Sequence, residues 1–219
     1  LIFTGGTISM VRNAKTNALC PASMEAFKAV VPEMFTSDVA IDMFPFEPLI
    51  DSSDVNPSNW VKMAHAVLDH YDDYDGFVIL HGTDTMSYSA SALSFMIEHL
   101  SKPVVFTGSQ LPIGVLRSDA KENLLTAIEV AAAVDEAGKP MVPEVSIFFG
   151  GKLFRANRTT KKNAEHFEAF DSYNYPALAK AGVHICYRPH LIHYPGTDES
   201  IRVHEVFDRH VTILKLFPG

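Results

Sequence analysis

Three short segments of this chain pair glycine with hydroxyl side chains: Thr4-Gly5-Gly6-Thr7, His81-Gly82-Thr83-Asp84-Thr85 and Thr107-Gly108-Ser109-Gln110. Glycine lets a ligand approach the backbone and exposes its N–H groups, and hydroxyls add donors, so such segments suit a small carboxylate or a developing oxyanion. One segment alone reads as a turn, whereas three read as parts of one rim. A threonine hydroxyl is a weak nucleophile until a base takes its proton, so a hydrolase built here needs a base and an orienting partner. Asp84, between Thr83 and Thr85, is one candidate. A lysine with a pKa lowered by burial and held by a carboxylate is another, and composition does not choose among the lysines.

Other chemistries find less support. No GxxxxGK[ST] segment occurs and Gly5-Gly6 is not GxGxxG, which argues against nucleotide phosphate binding, and no GxSxG elbow is present. His184, His190 and His193 lie close together, but without HExxH or a carboxylate at ligand spacing they read as surface or hairpin histidines, not metal ligands. His81 reads as a strand-end residue beside the threonine-bearing segment.

Each glycine–hydroxyl segment directly follows an apolar run of strand length, at residues 1–3, 77–80 and 104–106. A fourth such run spans 145–149, and a more mixed one spans 39–44. Between them lie helical spacings. Trp60, Ala64, Val67, Leu68 and Tyr71 share one face, and Leu93, Met96, Ile97 and Leu100 share another. A third helix is expected from a cap at Ser118 or Asp119 through Leu124, Leu125 and Ile128, stopping near Gly138 and Pro140. Strands apolar on both faces, alternating with helices, predict an α/β fold with a mainly parallel, doubly wound sheet flanked by helices. From Val183 on, short β-like pieces predict a C-terminal β-hairpin, and Leu214-Lys215-Leu216-Phe217 reads as an alternating strand before Pro218-Gly219. In open sheets of this kind ligands bind beyond the carboxyl ends of the strands, where the three segments fall.

The chain has 219 residues, 47% of them hydrophobic, enough for one sizeable core. No apolar run approaches the roughly 18 residues of a spanning helix. A net charge of −8 argues against a nucleic-acid backbone as main partner. Cys20 and Cys186 form no CxxC pair, so no disulfide framework or thiolate zinc site is suggested, which suits a reducing compartment. The chain begins without Met inside a strand-like run and ends at a Pro-Gly signal, so further sequence is expected at both ends.

The segments TGGTISM, IDSSD, YDDYDGFVILHGTDTM and LFRANRTTK resemble, in order and spacing, the signature segments of the bacterial-type L-asparaginases. The resemblance covers nearly all 219 residues. It implies a hydrolase that releases ammonia from L-asparagine through an acyl-enzyme intermediate, without cofactor or metal. It also implies that residues 1–219 are the N-terminal, site-bearing domain of a two-domain subunit that forms homodimers or homotetramers, the second domain being absent from this chain. On matching positions Thr7 is the nucleophile, while Thr83, Asp84 and Lys161 form the second catalytic set. Ser52 and Ser53 hold the substrate's α-carboxylate and α-amino group, Asp84 counters the ammonium, and the Ser109 backbone carbonyl meets the substrate amide. YDDYDGFVILHGTDTM and SALSFM are closer to the cytosolic type I enzymes, which implies the cytoplasm, with neither membrane nor nucleic acid as partner.

Two departures stand out. The family carries a tyrosine on the loop after TGGTI, where this chain has Leu19, and a general base there contributes about 10²–10⁴ in rate. Ala156 replaces a glycine, at a cost on the order of 1 kcal/mol if that backbone needs positive φ. The family's site also takes an acidic residue from the second domain of a neighbouring subunit, so the isolated 219-residue chain is expected to be feeble. Leu19 keeps open an alternative, a non-catalytic amino-acid-binding or assembly protein on the same scaffold. The other alternative is the glutaminase subunit of a transfer-RNA amidotransferase, against which the charge of −8 speaks mildly.

Overall fold

The structure, a computed structural model, describes residues 1–12, 19–21, 24–35, 38–195, 200–208 and 210–218, leaving aside the side chains of residues 11, 12, 19–21, 24 and 26. Eight strands form the main sheet: β1 (Ile2–Gly5), β2 (Phe44–Ile50), β3 (Phe77–Leu80), β4 (Val104–Thr107), β5 (Val145–Phe149), β6 (Lys152–Arg155), β7 (Ala179–Lys180) and β8 (Cys186–Tyr187). Their spatial order is β8-β7-β6-β5-β4-β3-β1-β2. The five strands from β2 to β5 in that order pair in parallel, and β6, β7 and β8 continue antiparallel at the other edge.

Among the described residues the α-helices are α1 (Met24–Val30), α2 (Pro57–Leu68), α3 (Met86–Met96) and α4 (Ala120–Ala132). Successive strand side chains point to opposite faces, so apolar strands present two surfaces to cover. Ile2, Ile79, Phe106 and Ile147 pack with Met63 and Val67 of α2 and Ala90 and Leu93 of α3. Phe3, Val78, Val105 and Phe148 pack on the other face with Phe27 of α1 and Leu124 and Ala127 of α4. The sheet is therefore doubly wound, as the patterning predicts. The start of α2 follows from its residues: Pro57 needs no N–H partner in the first turn, and Asn56 and Asn59 exchange side-chain-to-backbone bonds as a capping box.

Several boundaries differ from the sequence expectation, because backbone pairing, or its absence, overrides the side-chain pattern. The mixed run at 39–44 is not the strand; β2 starts at Phe44, where the backbone meets Ile2 of β1. The helix expected to include Ile97 and Leu100 ends at Met96, because Ile97–Glu98 pairs antiparallel with Arg202–Val203. The α4 helix stops at Ala132 instead of near Gly138, and Val134 and Pro140 then bridge across a turn. The expected hairpin is present as β7 and β8, opening before Val183. Leu214-Lys215-Leu216-Phe217 is no strand: it has no pairing partner among the described residues, and its apolar side chains are exposed.

Candidate active site

The parallel strands run in the order β2-β1-β3-β4-β5, so chain direction across the sheet reverses between β1 and β3. Loops leaving the carboxyl ends of strands on either side of such a switch point diverge and open a crevice for a ligand. Here those loops are Gly6-Thr7 and His81-Gly82-Thr83-Asp84-Thr85, with Ser52–Asp54 after β2 and Gly108-Ser109-Gln110 after β4 beside them.

Two glycines make the crowding possible. Gly6 has φ of +92°, and a Cβ there would lie 2.5 Å from the Gly82 nitrogen. A Cβ on Gly82 would collide with the Ser52 side chain. The backbones leading to Thr7 and Thr83 thus touch, with the Ser52 side chain against Gly82, where any side chain on either glycine would hold them apart. Thr4 Oγ1 donates to the Leu80 carbonyl at 2.7 Å, which ties the ends of β1 and β3 together.

Lys161 Nζ donates to Thr83 Oγ1 at 2.9 Å and to Asp84 Oδ1 at 2.8 Å. Thr83 is 8% exposed, the Lys161 side chain 17% and the Asp84 side chain 64%, so the set runs from a buried hydroxyl to an open carboxylate. Lys161 reaches the rim through the 3-10 turn Ala156–Arg158 and the short pair of Thr160–Lys161 with Phe170–Asp171. Its neighbour Lys162 is engaged elsewhere, with Asp171 at 2.9 Å. Geometry thus puts Lys161, and not Lys162, against Thr83 and Asp84. Ala156 is buried in that turn and is absent from the positive-φ positions among the described residues, which are His99 and Arg117 outside glycine. The alanine therefore carries no left-handed strain.

Thr7 opens the 3-10 turn Thr7–Ser9, partly buried, and its hydroxyl has no hydrogen-bond partner among the described residues. Lys161 does not bond to it. Ser52 is 7% exposed and its carbonyl accepts from Thr85 Oγ1 at 2.6 Å. Ser53 donates both its N–H and its hydroxyl to Asp51 Oδ1, at 2.9 and 3.0 Å, and these bonds hold the Asp51 carboxyl below its usual range. With its proton so committed, the Ser53 hydroxyl is left as an acceptor. Ser109 is buried beside the same crevice.

Gln110, to which the sequence pattern assigns no role, joins this set. Its Oε1 accepts from Thr83 Oγ1 at 3.3 Å, and its Nε2 donates to the His166 carbonyl at 3.1 Å. Its place inside a glycine–hydroxyl segment was the available signal. His81 is buried, its ring beside Phe106, and burial lowers its pKa to about 4 despite the hydrogen bond to the Gly82 carbonyl. A carbonyl only accepts, so Nδ1 carries the proton and the ring is neutral. His184, His190 and His193 are exposed near the hairpin edge. Leu19 lies in the strand Leu19–Pro21 paired with Met10–Arg12, but its side chain lies outside the described residues.

Fold and residue placement define an α/β protein whose glycine–hydroxyl loops gather at the switch point of its sheet. Residues 1–192 match the family model described as asparaginase, N-terminal. L-asparaginase 1 of Escherichia coli K12 is 43% identical over 218 residues, which are 99% of this chain and 62% of that protein. The 60 kDa lysophospholipase of Mus musculus is 46% identical over 173 residues, 79% of this chain and 30% of that one. The solved structure of L-asparaginase I from Vibrio cholerae superimposes with a TM-score of 0.86 at 38% identity, covering all of this chain and 64% of its own. The chain belongs to the asparaginase family. It spans less than two thirds of the length of each of these relatives.

Proposed function

We propose that this protein hydrolyses L-asparagine to L-aspartate and ammonia through a threonine nucleophile. The observation that carries the reading is the contact of Lys161 with both Thr83 and Asp84, on the rim that also bears Thr7. The Thr7 hydroxyl attacks the side-chain amide carbon. Its proton leaves, the C–N bond breaks with a proton delivered to the departing nitrogen, and ammonia is released from an acyl ester on Thr7. Water, activated through Thr83 as polarised by Lys161 and Asp84, then cleaves that ester to give L-aspartate. The open Asp84 carboxylate and the Ser53 hydroxyl suit the substrate's α-ammonium, Ser52 its α-carboxylate, and the Ser109 carbonyl its amide N–H.

No cofactor or metal enters this scheme. The complete protein is proposed to work in the cytoplasm as a homodimer or homotetramer; among the described residues no helix is long and apolar enough to cross a membrane. The test is a coupled ammonia assay of the complete protein with L-asparagine and L-glutamine, beside Thr7→Ala and Leu19→Tyr. Thr7→Ala is expected to lose at least about 10³ in kcat, and Leu19→Tyr to raise it. Turnover surviving Thr7→Ala would remove Thr7 from the nucleophile's role, and tight L-aspartate binding without any turnover would favour the non-catalytic alternative.

A further inference from the structure

Asp119 immediately precedes α4, yet its side chain caps nothing in that helix. Ser118 Oγ accepts the Ala120 N–H instead, at 3.0 Å. The Asp119 carboxylate reaches back to the loop after β4. Both its oxygens accept the Gln110 N–H, at 3.1 and 3.0 Å, and Oδ1 also accepts the Leu111 N–H at 3.1 Å. Asn123, one turn along α4, donates to Asp119 Oδ2 at 3.2 Å and to the Gly108 carbonyl at 3.0 Å, and its own Oδ1 accepts the Gly150 N–H at 3.2 Å. The loop backbone is therefore held from the α4 side at Gly108, Gln110 and Leu111.

One group of this loop is left over. Ser109 is 1% exposed, its hydroxyl donates to the Leu111 carbonyl at 2.6 Å, and no donor among the described residues reaches its own carbonyl. That carbonyl and the Gln110 N–H belong to the same peptide plane, and in a trans peptide they point in opposite directions. A carboxylate that draws the N–H toward α4 turns the carbonyl the other way, on the loop whose next side chain, Gln110, touches Thr83.

We infer that Asp119, seconded by Asn123, is a positioning residue that aims the Ser109 carbonyl at the substrate's amide N–H. This rests on the amidohydrolase reading above. Asp119→Asn replaces one acceptor oxygen by an NH₂ group facing N–H donors, so the Gln110 peptide is freed to rotate. In the complete protein, kcat/KM for L-asparagine is expected to fall about tenfold to a hundredfold. Turnover of L-aspartate β-methyl ester, which has no amide N–H to offer that carbonyl, is expected to change by less than about threefold. Equal losses on both substrates, or none on either, overturn the inference. A wild-type protein that turns over neither substrate overturns the amidohydrolase reading, and the inference with it. Amide hydrogen exchange gives a readout independent of turnover. Asp119→Ser is expected to speed exchange at Gln110 and Leu111 while the α4 amides stay protected, and unchanged exchange at those two amides also overturns the inference.

Discussion

Replacing Lys161 by methionine removes the ammonium from Thr83 and Asp84 while keeping most of the aliphatic stem. If that nitrogen takes part in proton movement at Thr83, kcat should fall by about 10²–10⁴, or roughly 3–5 kcal/mol of barrier. Stability should move little. Asp84 is 64% exposed, so the ion pair at 2.8 Å is screened by water and worth about 0–1 kcal/mol, while Thr83 keeps its bond to Gln110. In a chain of this size that is a shift of about 0–4 °C in melting temperature. Initial rates of ammonia release over a range of L-asparagine concentrations separate kcat from KM, and thermal denaturation runs beside them. Lys161→Arg sharpens the experiment, because a guanidinium keeps the positive charge but does not give up a proton. It should stay as slow as Lys161→Met. Recovery by arginine to within about tenfold of wild type would show that charge alone suffices, and a comparable rate in Lys161→Met would refute the role altogether.

Two further predictions concern stability. His81 has a pKa lowered to about 4 from 6.5 by burial, so between those values the unfolded chain binds the extra proton and the folded one does not. Its contribution is complete above pH 6.5 and is lost as pH falls toward 4, by about 1.4 kcal/mol per unit. Urea midpoints at pH 7 and pH 5 should show His81→Asn losing about 2 kcal/mol less than wild type, and parallel losses would contradict the linkage. The Arg155–Glu144 pair, Nε to Oε2 at 2.6 Å with side chains 20% and 10% exposed, is the more buried contact. Glu144→Ala leaves that guanidinium uncompensated and should cost about 3–5 kcal/mol in denaturant unfolding, most of it regained in Glu144→Met/Arg155→Met. A double variant as unstable as the single one would refute this.

Much of the scaffold was legible because buried strands announce themselves. The stretch 77–80 is apolar at every position and 145–149 at all but Ser146, as suits strands covered on both faces, and both match the observed bounds. Where pairing rather than burial decides, the pattern misled. Ile97 and Leu100 continue the helical spacing of α3 and are buried, yet the chain turns at Met96 because Arg202 and Val203, a hundred residues on, offer a strand partner. The two-residue strands β7 and β8 leave too few side chains for any period to show. In the site, Ser118 and Asp119 both read as candidate helix caps, since Ser or Asp before a helical pattern commonly is one, and it is Ser118 that accepts the Ala120 N–H. Only the folded loop shows that the Asp119 carboxylate faces backwards.

The residue types and order determined by themselves that this is an α/β chain with a hydroxyl-rich, glycine-turned rim after its strands, and the long matches to TGGTISM, HGTDTM and RTTK carried the family. Those properties reside in neighbouring residues and survive being read one after another. Sequence order could not say which lysine meets which hydroxyl, because Lys161 and Thr83 lie 78 positions apart and Lys162 has the same chemistry. Distance in space, not along the chain, sets the strength of a hydrogen bond or an ion pair. The tertiary structure therefore decided the partnership of Lys161 with Thr83 and Asp84, the engagement of Gln110, and the orientation of the Ser109 peptide by Asp119.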